Sequence, residues 1–349
     1  MTALHFVLPG DPATRTGGFR YDARMIEGLR AAGRAVVVHA LPADFPFPCG
    51  ATREAAASLL AGLPSGAAVV VDGLGYGALP ELALQHSQRL RLIALVHHPL
   101  AAETGLDRRQ QERLFESERA ALAAARGVIT SSDYTARGLE AYGVAPKRIR
   151  VAEPGVDPAP LARGSGGGTA VLLCVATLTP RKGHAVLIEA LAELADRPWR
   201  LVCAGSRSRD PETARRIENL LCNKGLSERV RLLGEIGDDA LAAAYDGADL
   251  FVSASHYEGY GMVLTEALAR GLPLVATRAG ASAETLPDDA ALLVPPGEPD
   301  ALSTALARVL GDTALRESLA AGARRARSRL TDWPTAARRI ADALDTLLA

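Results

Sequence analysis

The amino-acid sequence predicts an α/β protein with two doubly wound, Rossmann-like domains, each built on a parallel sheet. Short apolar runs alternate with segments of helical periodicity, and this alternation stops and restarts around residues 163–169. Continuous apolar runs are typical of parallel strands that are buried on both faces. Alternating strands and helices place helices on both sides of such a sheet. A length of 349 residues also fits two domains better than one.

The first half of the chain contains five predicted strands and five predicted helices. The strands are the apolar runs at 4–9, 35–41, 67–74, 90–98 and 127–132. The helical segments between and after them lie at 20–32, 51–61, 78–87, 107–125 and 133–142. These elements define a first domain over residues 1–162.

The stretch RGSGGGT at residues 163–169 predicts a flexible linker, because glycine and serine favour neither helix nor strand. A second domain over 170–331 follows. Its predicted strands lie at 170–177, 200–205, 229–235, 249–255, 273–277 and 291–295. Its predicted helices lie at 182–195, 211–224, 238–246, 261–270 and 298–310. The final segment 332–349 begins with a helix-start pattern in TDWP, and we assign it to the first domain, with hinges near 163–169 and near 330.

Charge and composition exclude several classes of partner. The 39 basic and 40 acidic side chains nearly cancel, so we expect no nucleic-acid partner and no strong membrane signal. The N-terminus does not resemble a signal peptide, and we expect a cytoplasmic protein. The four cysteines lack zinc-like spacing, and no acidic cluster has the spacing of a divalent-metal site. The sequence does not indicate an oligomeric state.

Candidate binding residues follow the predicted strands, because ligands of doubly wound sheets bind at the carboxyl ends of the strands. Gly17 and Gly18 precede the first helix, where backbone N–H groups and the helix dipole favour an anion. The pair does not form the GxGxxG pattern, and no acidic residue ends the second strand. A nicotinamide-dependent dehydrogenase is therefore disfavoured.

Two basic residues follow the first strand of the second domain. Arg181 and Lys182 lie in TPRKGH, and we expect them to point into the cleft between the domains. Arginine offers a planar fork of donors and lysine a mobile point charge, which together suit a diphosphate.

The segment 253–277, SASHYEGYGMVLTEALARGLPLVAT, carries the strongest functional signal. Glu258 follows a buried strand in a glycine-rich turn, and Glu266 lies in the next helix with seven residues between the two. Carboxylates beside backbone N–H groups suit a polyhydroxylated, phosphorylated ligand. The N–H groups at 259–263 are the candidates for its oxygens.

This segment resembles the EX7E signature of retaining glycosyltransferase family 4, which has the GT-B fold. TPRKGH and GLPLVATRAGASAE resemble the family's neighbouring elements, and the resemblance covers essentially the whole chain. It implies two domains that face each other across a cleft, with the C-terminal helix crossing back to the first. It also implies that the sugar donor is a nucleoside-diphosphate sugar, and among these we expect a UDP- or GDP-sugar.

The resemblance further implies roles for individual residues. Arg181 and Lys182 would bind the diphosphate, Glu266 the ribose and Glu258 the transferred sugar. His97, or the adjacent His98, would be the histidine that the first domain supplies to the reaction. The other donor contacts would come from Gly17, Gly18, Gly205, Gly234, Glu235, Ile236, Gly259, Tyr260, Gly261, Met262, Val263 and Leu264.

We expect no cofactor and no metal, because the two basic residues and helix N-termini can stabilise the leaving diphosphate directly. A front-face mechanism is favoured over a double displacement with Glu258 as nucleophile. The helix at 107–125 carries four basic and four acidic residues, which favours a soluble, small-molecule or saccharide acceptor. Candidate acceptor contacts are Arg20, Tyr21 and Glu103. The alternatives are a nucleotide-sugar epimerase of the same fold and a non-catalytic nucleotide-sugar-binding protein.

Overall fold

The computed structural model describes residues 3–349 and confirms the α/β fold class. The chain divides into two compact units. Unit 1 contains the described residues up to Gly155 together with Thr331–Ala349, and unit 2 contains Val156–Leu330. Each unit is built on its own six-stranded parallel sheet.

In unit 1 the strand order is β2-β1-β3-β4-β5-β6. The strands are β1 (Leu4–Pro9), β2 (Val36–Leu41), β3 (Ala68–Asp72), β4 (Arg91–Val96), β5 (Gly127–Thr130) and β6 (Ile149–Val151). The helices are α1 (Gly17–Ala31), α2 (Gly50–Gly62), α3 (Gly73–Tyr76), α4 (Pro80–His86), α5 (Arg108–Ala124), α6 (Asp133–Gly138) and, from the end of the chain, α14 (Trp333–Leu348).

In unit 2 the strand order is β12-β11-β10-β7-β8-β9. The strands are β7 (Ala170–Val175), β8 (Trp199–Ala204), β9 (Val230–Gly234), β10 (Leu250–Ser253), β11 (Leu274–Thr277) and β12 (Ala291–Val294). The helices are α7 (His184–Ala192), α8 (Pro211–Asn223), α9 (Asp238–Asp246), α10 (Met262–Ala269), α11 (Ser282–Thr285), α12 (Pro299–Gly311) and α13 (Thr313–Arg327).

The central strands are buried on both faces, as their continuous apolar runs predict. Every residue of β3, β5, β10 and β11 is buried. The predicted strands are all present, with their ends shifted by a few residues. The structure adds β6, a three-residue edge strand whose sequence Ile-Arg-Val contains no apolar run long enough to predict it. No helix within residues 3–349 is long and apolar enough to cross a membrane.

The segment predicted as a flexible linker begins as an anchored part of unit 2. The backbone N–H groups of Arg163 and Gly164 donate to the carbonyl oxygen of Asp246 at 3.0 and 2.9 Å. The Arg163 side chain also forms an ion pair with the Asp246 carboxylate, and the N–H of Ser165 donates to Asp249 at 3.0 Å. The two units divide after Gly155, before this segment, and the hinge near 163–169 stays a prediction.

The C-terminal helix α14 packs on α1 of unit 1, which confirms the predicted return of the chain. Gly28 of α1 faces Ala337 of α14, and a β-carbon on Gly28 would lie 2.3 Å from the Ala337 β-carbon. Arg34 and Asp345 form an ion pair of 2.5 Å beside this contact. The absence of a side chain at position 28 therefore lets the two helices approach closely.

We expect Gly28→Ala to destabilise the protein by about 1–3 kcal/mol, because overpacking against α14 outweighs the gain of about 1 kcal/mol in helix propensity. Gly138→Ala is the matched control, since Gly138 is helical and nothing lies within 4 Å of its added β-carbon. Urea unfolding of both variants measures the effect. Equal stability of the two would contradict the close α1–α14 packing.

Candidate functional site

The residues that follow β7, β10 and β11 meet at the carboxyl edge of the unit 2 sheet. Gly183, at the start of α7, has φ +64°, and its added β-carbon would lie 2.0 Å from the carbonyl oxygen of Ala254. The N–H of His256 donates to the carbonyl oxygen of Arg181 at 2.7 Å. The turn that carries Arg181 and Lys182 is thus fixed directly against the end of β10.

The glycine-rich turn after β10 is held from its other side by the loop after β11. Gly280 has φ +59°, and an added β-carbon would lie 2.2 Å from the carbonyl oxygen of Glu258. The N–H of Ala281 donates to that oxygen at 2.8 Å. The hydroxyl of Thr285 donates to the carbonyl oxygen of Tyr260 at 2.9 Å. The loop after β11, residues 278–285, therefore determines where Glu258 is placed.

Glu258 is buried and ringed by partners. Its Oε1 accepts hydrogen bonds from Lys182 Nζ at 2.6 Å and from the Ser255 hydroxyl at 2.7 Å. Arg181 lies 3.9 Å from Oε2 and donates to the carbonyl oxygen of Tyr257 at 2.9 Å. Burial raises the pKa of Glu258, but the charges of Lys182 and Arg181 and the hydrogen bonds outweigh it, so the pKa lies below its usual value. Glu258 is therefore an anion between two cations.

Glu266, in α10, is also buried, with 8% of its surface exposed. Its Oε2 accepts a hydrogen bond from the hydroxyl of Tyr245 at 2.9 Å. The Arg270 guanidinium lies 4.2 Å over the Tyr245 ring and donates to the Glu266 carbonyl oxygen at 3.0 Å. Tyr245 and Arg270 thus orient this carboxylate. Neither role could be predicted from the sequence, because Tyr245 lies in the preceding helix and nothing in its local pattern links it to Glu266.

The remaining predicted donor residues of unit 2 lie at the same edge, after β8 and β9 and at the start of α10. The N–H of Gly205 donates to the carbonyl oxygen of Gly234 at 2.9 Å. Gly261 has φ +90° at the N-cap of α10. The other members of this group are Glu235, Ile236, Gly259, Tyr260, Met262, Val263 and Leu264. Their roles in binding stay predictions.

In unit 1, His97 follows β4 and lies between two carboxylates. Its Nε2 is 3.1 Å from Asp22 Oδ1 and 3.3 Å from Asp72 Oδ2. Asp22 comes from α1, and Asp72 ends β3 and caps α3 through the N–H of Leu74. An added β-carbon on Gly18 would lie 3.4 Å from the His97 ring. The structure therefore brings the predicted glycine and histidine together and adds two acids that the sequence analysis did not name.

The electrostatics of this group favour a charged histidine. Burial lowers the pKa of His97, but the Asp22 charge and the hydrogen bonds to Asp22 and Asp72 outweigh it and raise the pKa to about 10. Burial raises the pKa of Asp22 to about 6, against the opposing effect of His97. At neutral pH the group is an ion-pair network.

Within residues 3–349, these three side chains form the one group of metal-ligating types with its ligand atoms within 4.8 Å of one another. The Nε2 atom lies at hydrogen-bonding distance from both acids. A ring nitrogen that carries the shared proton cannot bind a metal, because a histidine ligand is neutral. The arrangement thus fits a protonated histidine between two acids. The absence of a metal stays a prediction.

The predicted acceptor residues of unit 1 have different environments. His98 Nε2 lies 3.4 Å from Glu103 Oε2, and both side chains are partly exposed. Arg20 lies on the first turn of α1, half-buried. Tyr21 is buried, donates to the carbonyl oxygen of Ala152 at 2.8 Å and packs edge-on against His97. Tyr21 therefore supports the histidine ring, and its role as an acceptor contact stays a prediction.

Two family descriptions match this chain. Residues 20–160 match Glycosyltransferase Family 4, and residues 162–326 match Glycosyl transferases group 1. These matches define the class: the chain belongs to glycosyltransferase family 4, a family of transferases. It has the GT-B fold.

Curated relatives include D-inositol 3-phosphate glycosyltransferases of Acidothermus cellulolyticus and Xylanimonas cellulosilytica. The first is 34% identical over 58% of this chain and 49% of its own length. The second is 32% identical over 64% of this chain and 58% of its own length. The aligned region thus spans about half the length of these relatives.

Two solved structures share the fold. Sucrose-phosphate synthase from Thermosynechococcus elongatus has a TM-score of 0.79 and 23% identity, with 97% of each chain covered. Anabaena HepE in complex with UDP and glucose has a TM-score of 0.78 and 19% identity, with 98% of this chain and 99% of that chain covered.

We expect Lys182→Met to destabilise the protein by about 3 kcal/mol at pH 7.5, because it leaves the Glu258 carboxylate buried beside one cation only. The exposed Lys224→Met is the matched control. The loss should shrink as the pH falls towards 4.5. In the wild type, the stabilisation that a depressed pKa supplies disappears with acid, while in the variant Glu258 takes up a proton. Urea unfolding at both pH values measures this, and a loss equal to that of the control would contradict the buried ion pair.

Proposed function

We propose that this protein is a retaining glycosyltransferase that moves a sugar from a nucleoside-diphosphate sugar to a hydroxyl group of a small polar acceptor. One observation carries the proposal: the partly buried Arg181 and Lys182 form a single charge cluster with the buried Glu258 at the carboxyl edge of the unit 2 sheet. Ligands of doubly wound sheets bind at that edge. Membership of glycosyltransferase family 4 supports the same reaction class.

The cluster suits a diphosphate because its net charge is positive. Two cations face one anion, so an additional anionic group is attracted to it. An ammonium group has three N–H donors, and a phosphate oxygen can therefore bind Lys182 while the contact with Glu258 persists. Arg181 supplies a planar fork that matches phosphate geometry. As the bond to the sugar breaks, the same two cations would stabilise the developing charge on the leaving diphosphate.

Glu266 suits the ribose of the donor. A carboxylate accepts hydrogen bonds at two oxygens, and vicinal hydroxyls present two donors at matching spacing. The bond from Tyr245 to Oε2 restrains the rotation of the carboxylate, so its orientation is set before the ligand binds. Hydrogen bonds to a charged acceptor contribute about 1.5–3 kcal/mol each. We assign Glu258 and the backbone at 259–261 to the transferred sugar, following the family resemblance.

His97 is the residue that unit 1 would contribute to the reaction. We favour a front-face route, in which the acceptor hydroxyl attacks from the side of the leaving diphosphate and a diphosphate oxygen takes its proton. This route needs no protein nucleophile, and it agrees with a Glu258 carboxylate that is already held by Lys182 and Ser255.

The relatives suggest which substrates to try first. Anabaena HepE was solved with UDP and glucose, so UDP-glucose is the first donor to test, with GDP-sugars next. The curated relatives carry the name D-inositol 3-phosphate glycosyltransferase, so phosphorylated and unphosphorylated cyclitols are the first acceptors. The mixed-sign surface of α5 favours a soluble acceptor of this kind.

The decisive experiment incubates the purified protein with each sugar nucleotide, with and without acceptor, and follows the products by NMR. Transfer with an unchanged anomeric configuration supports the proposal. Inversion of that configuration would refute the retaining mechanism. A sugar nucleotide that changes configuration at a ring carbon without any acceptor would identify an epimerase. Binding without any conversion, over a full set of acceptors, would identify a sugar-nucleotide-binding protein.

We expect Glu266→Gln to weaken binding of UDP, or of whichever nucleoside diphosphate the wild type prefers, by about tenfold or more. The substitution keeps the size of the side chain and removes its charge. Isothermal titration calorimetry measures the change. Glu193→Gln, at an exposed position after α7, should bind like the wild type. Unchanged affinity in Glu266→Gln would remove the ribose assignment.

We also expect the transfer rate to be insensitive to chelation. After dialysis against EDTA, the initial rate should stay within about twofold of the untreated rate, since Arg181 and Lys182 replace the metal at the leaving group. Added Mg²⁺ or Mn²⁺ should not raise it further. A rate that disappears on chelation and returns with one of these ions would refute metal independence.

A further inference from the structure

The surroundings of His97 in unit 1 are built from several separate segments of chain. Gly18, Tyr21 and Asp22 lie on one face of α1, because residues three and four apart on a helix are neighbours. Gly18 meets the edge of the imidazole ring, Tyr21 packs at 5.1 Å between ring centroids, and Asp22 reaches Nε2. One helix face therefore determines the position of the ring from two sides.

Other elements fix the remaining freedom of the histidine. Asp72, at the end of β3, approaches the same Nε2 atom, and its other oxygen accepts from the N–H of Leu74. The His97 carbonyl oxygen accepts hydrogen bonds from Ser131 at 3.3 Å and Thr135 at 3.5 Å. Both the backbone and the ring of His97 are thereby held in one orientation.

The two nitrogens of the ring have different surroundings. Nε2 lies between two carboxylates, of which Asp22 is 1% exposed and Asp72 9%. Within the described part of unit 1, no group forms a hydrogen bond with Nδ1, although the His97 side chain is 20% exposed. The two ring nitrogens can therefore have different roles: Nε2 contacts the two carboxylates, and Nδ1 is available to a ligand.

We propose that Asp22 and Asp72 are positioning residues that keep His97 as an imidazolium, so that Nδ1 meets the substrate as a charged hydrogen-bond donor and not as a base. The proposal rests on the proposed function for the identity of the substrate, but the charge state of His97 does not depend on it. A buried carboxylate without a partner destabilises the folded protein. The positive charge of protonated His97 stabilises both carboxylates, and the carboxylates in turn stabilise the protonated histidine.

This arrangement has a chemical consequence for the transfer reaction. An imidazolium between two acids has no lone pair to accept the proton of the acceptor hydroxyl. The proton must then go elsewhere, and the leaving diphosphate of a front-face reaction is the acceptor that the proposed route supplies. His97 would instead donate from Nδ1 to an oxygen of the donor sugar or diphosphate, where a charge-assisted hydrogen bond is about twice as strong as a neutral one.

The titratable groups that face His97 come from two elements. Tyr21 and Asp22 lie on α1, and Asp72 lies at the end of β3. The segment that leads into α6 contributes hydroxyl groups only, through Ser131 and Thr135. Burial raises the pKa of Tyr21 well above its usual range, so this side chain stays neutral at working pH. The two acids are therefore the groups to change.

The test is an NMR titration of the His97 imidazole in the full-length protein, with the resonance assigned from His97→Gln. In the wild type we expect a pKa well above the ordinary 6.5 of histidine. Asp22→Asn should lower it by at least one unit, and Asp72→Asn should lower it too while keeping the cap on Leu74, because asparagine caps helices as well as aspartate. Asp44→Asn is the matched control: Asp44 is a unit 1 acid that holds the N–H of Cys49 and the Thr52 hydroxyl.

A second readout separates positioning from a merely structural role. On an active donor–acceptor pair, kcat/KM of Asp22→Asn should fall about twofold or more between pH 6.5 and pH 9. A His97 pKa lowered from about 10 to about 9 leaves half of the imidazole protonated at pH 9, whereas the wild type keeps about nine-tenths. Asp44→Asn should follow the wild-type profile. A wild-type His97 that titrates near 6.5, or a pKa that neither acid variant moves, overturns the proposal. Failure to find any transfer would refute the proposed function but leave the titration result standing.

Discussion

The buried charge of Glu258 is the constraint on which the candidate site of unit 2 depends. Its carboxylate needs Lys182, from the turn after β7, and Ser255, from the end of β10. Its carbonyl oxygen needs the N–H of Ala281, from the loop after β11. One residue thus joins three segments that are distant in sequence. None of them can move away alone without leaving a buried polar group uncompensated, which is why the basic turn and the glycine-rich turn keep their places before a ligand arrives.

Unit 1 uses the opposite arrangement of charges at the carboxyl edge of its own sheet. There a single cation, His97, lies between two acids, whereas in unit 2 a single anion lies beside two cations. The net charges have opposite consequences. The unit 2 cluster attracts an anion, while the acids of unit 1 stabilise the positive charge of the His97 imidazolium, which under our proposal donates a hydrogen bond from Nδ1. Parallel sheets make both arrangements possible, because they collect the ends of neighbouring strands at one edge.

The sequence predicted the two sheets well because parallel strands carry continuous apolar runs, and it predicted Lys182 and Glu258 because both follow such runs in glycine-containing turns. It could not predict Asp22 and Asp72 as partners of His97. Asp22 lies inside a helix, and Asp72 ends a strand before Gly73, but nothing in either local pattern links these acids to His97. Their meeting requires the neighbouring order β1-β3-β4, which depends on packing and not on local pattern. The anchored start of the glycine-rich segment could not be predicted for a similar reason, since Asp246 at the end of α9 and Asp249 just before β10 hold it from far along the chain.

The division of the chain imposes an order on its own synthesis. Unit 2 is one continuous stretch, Val156–Leu330, whereas unit 1 combines residues on both sides of it. The sheet of unit 1 is therefore translated before unit 2, and the helix that covers α1 is translated after it. Until then the face of α1 around Gly28 lacks its partner. A chain interrupted anywhere within unit 2 would thus carry the whole sheet of unit 1 together with an uncovered helix face.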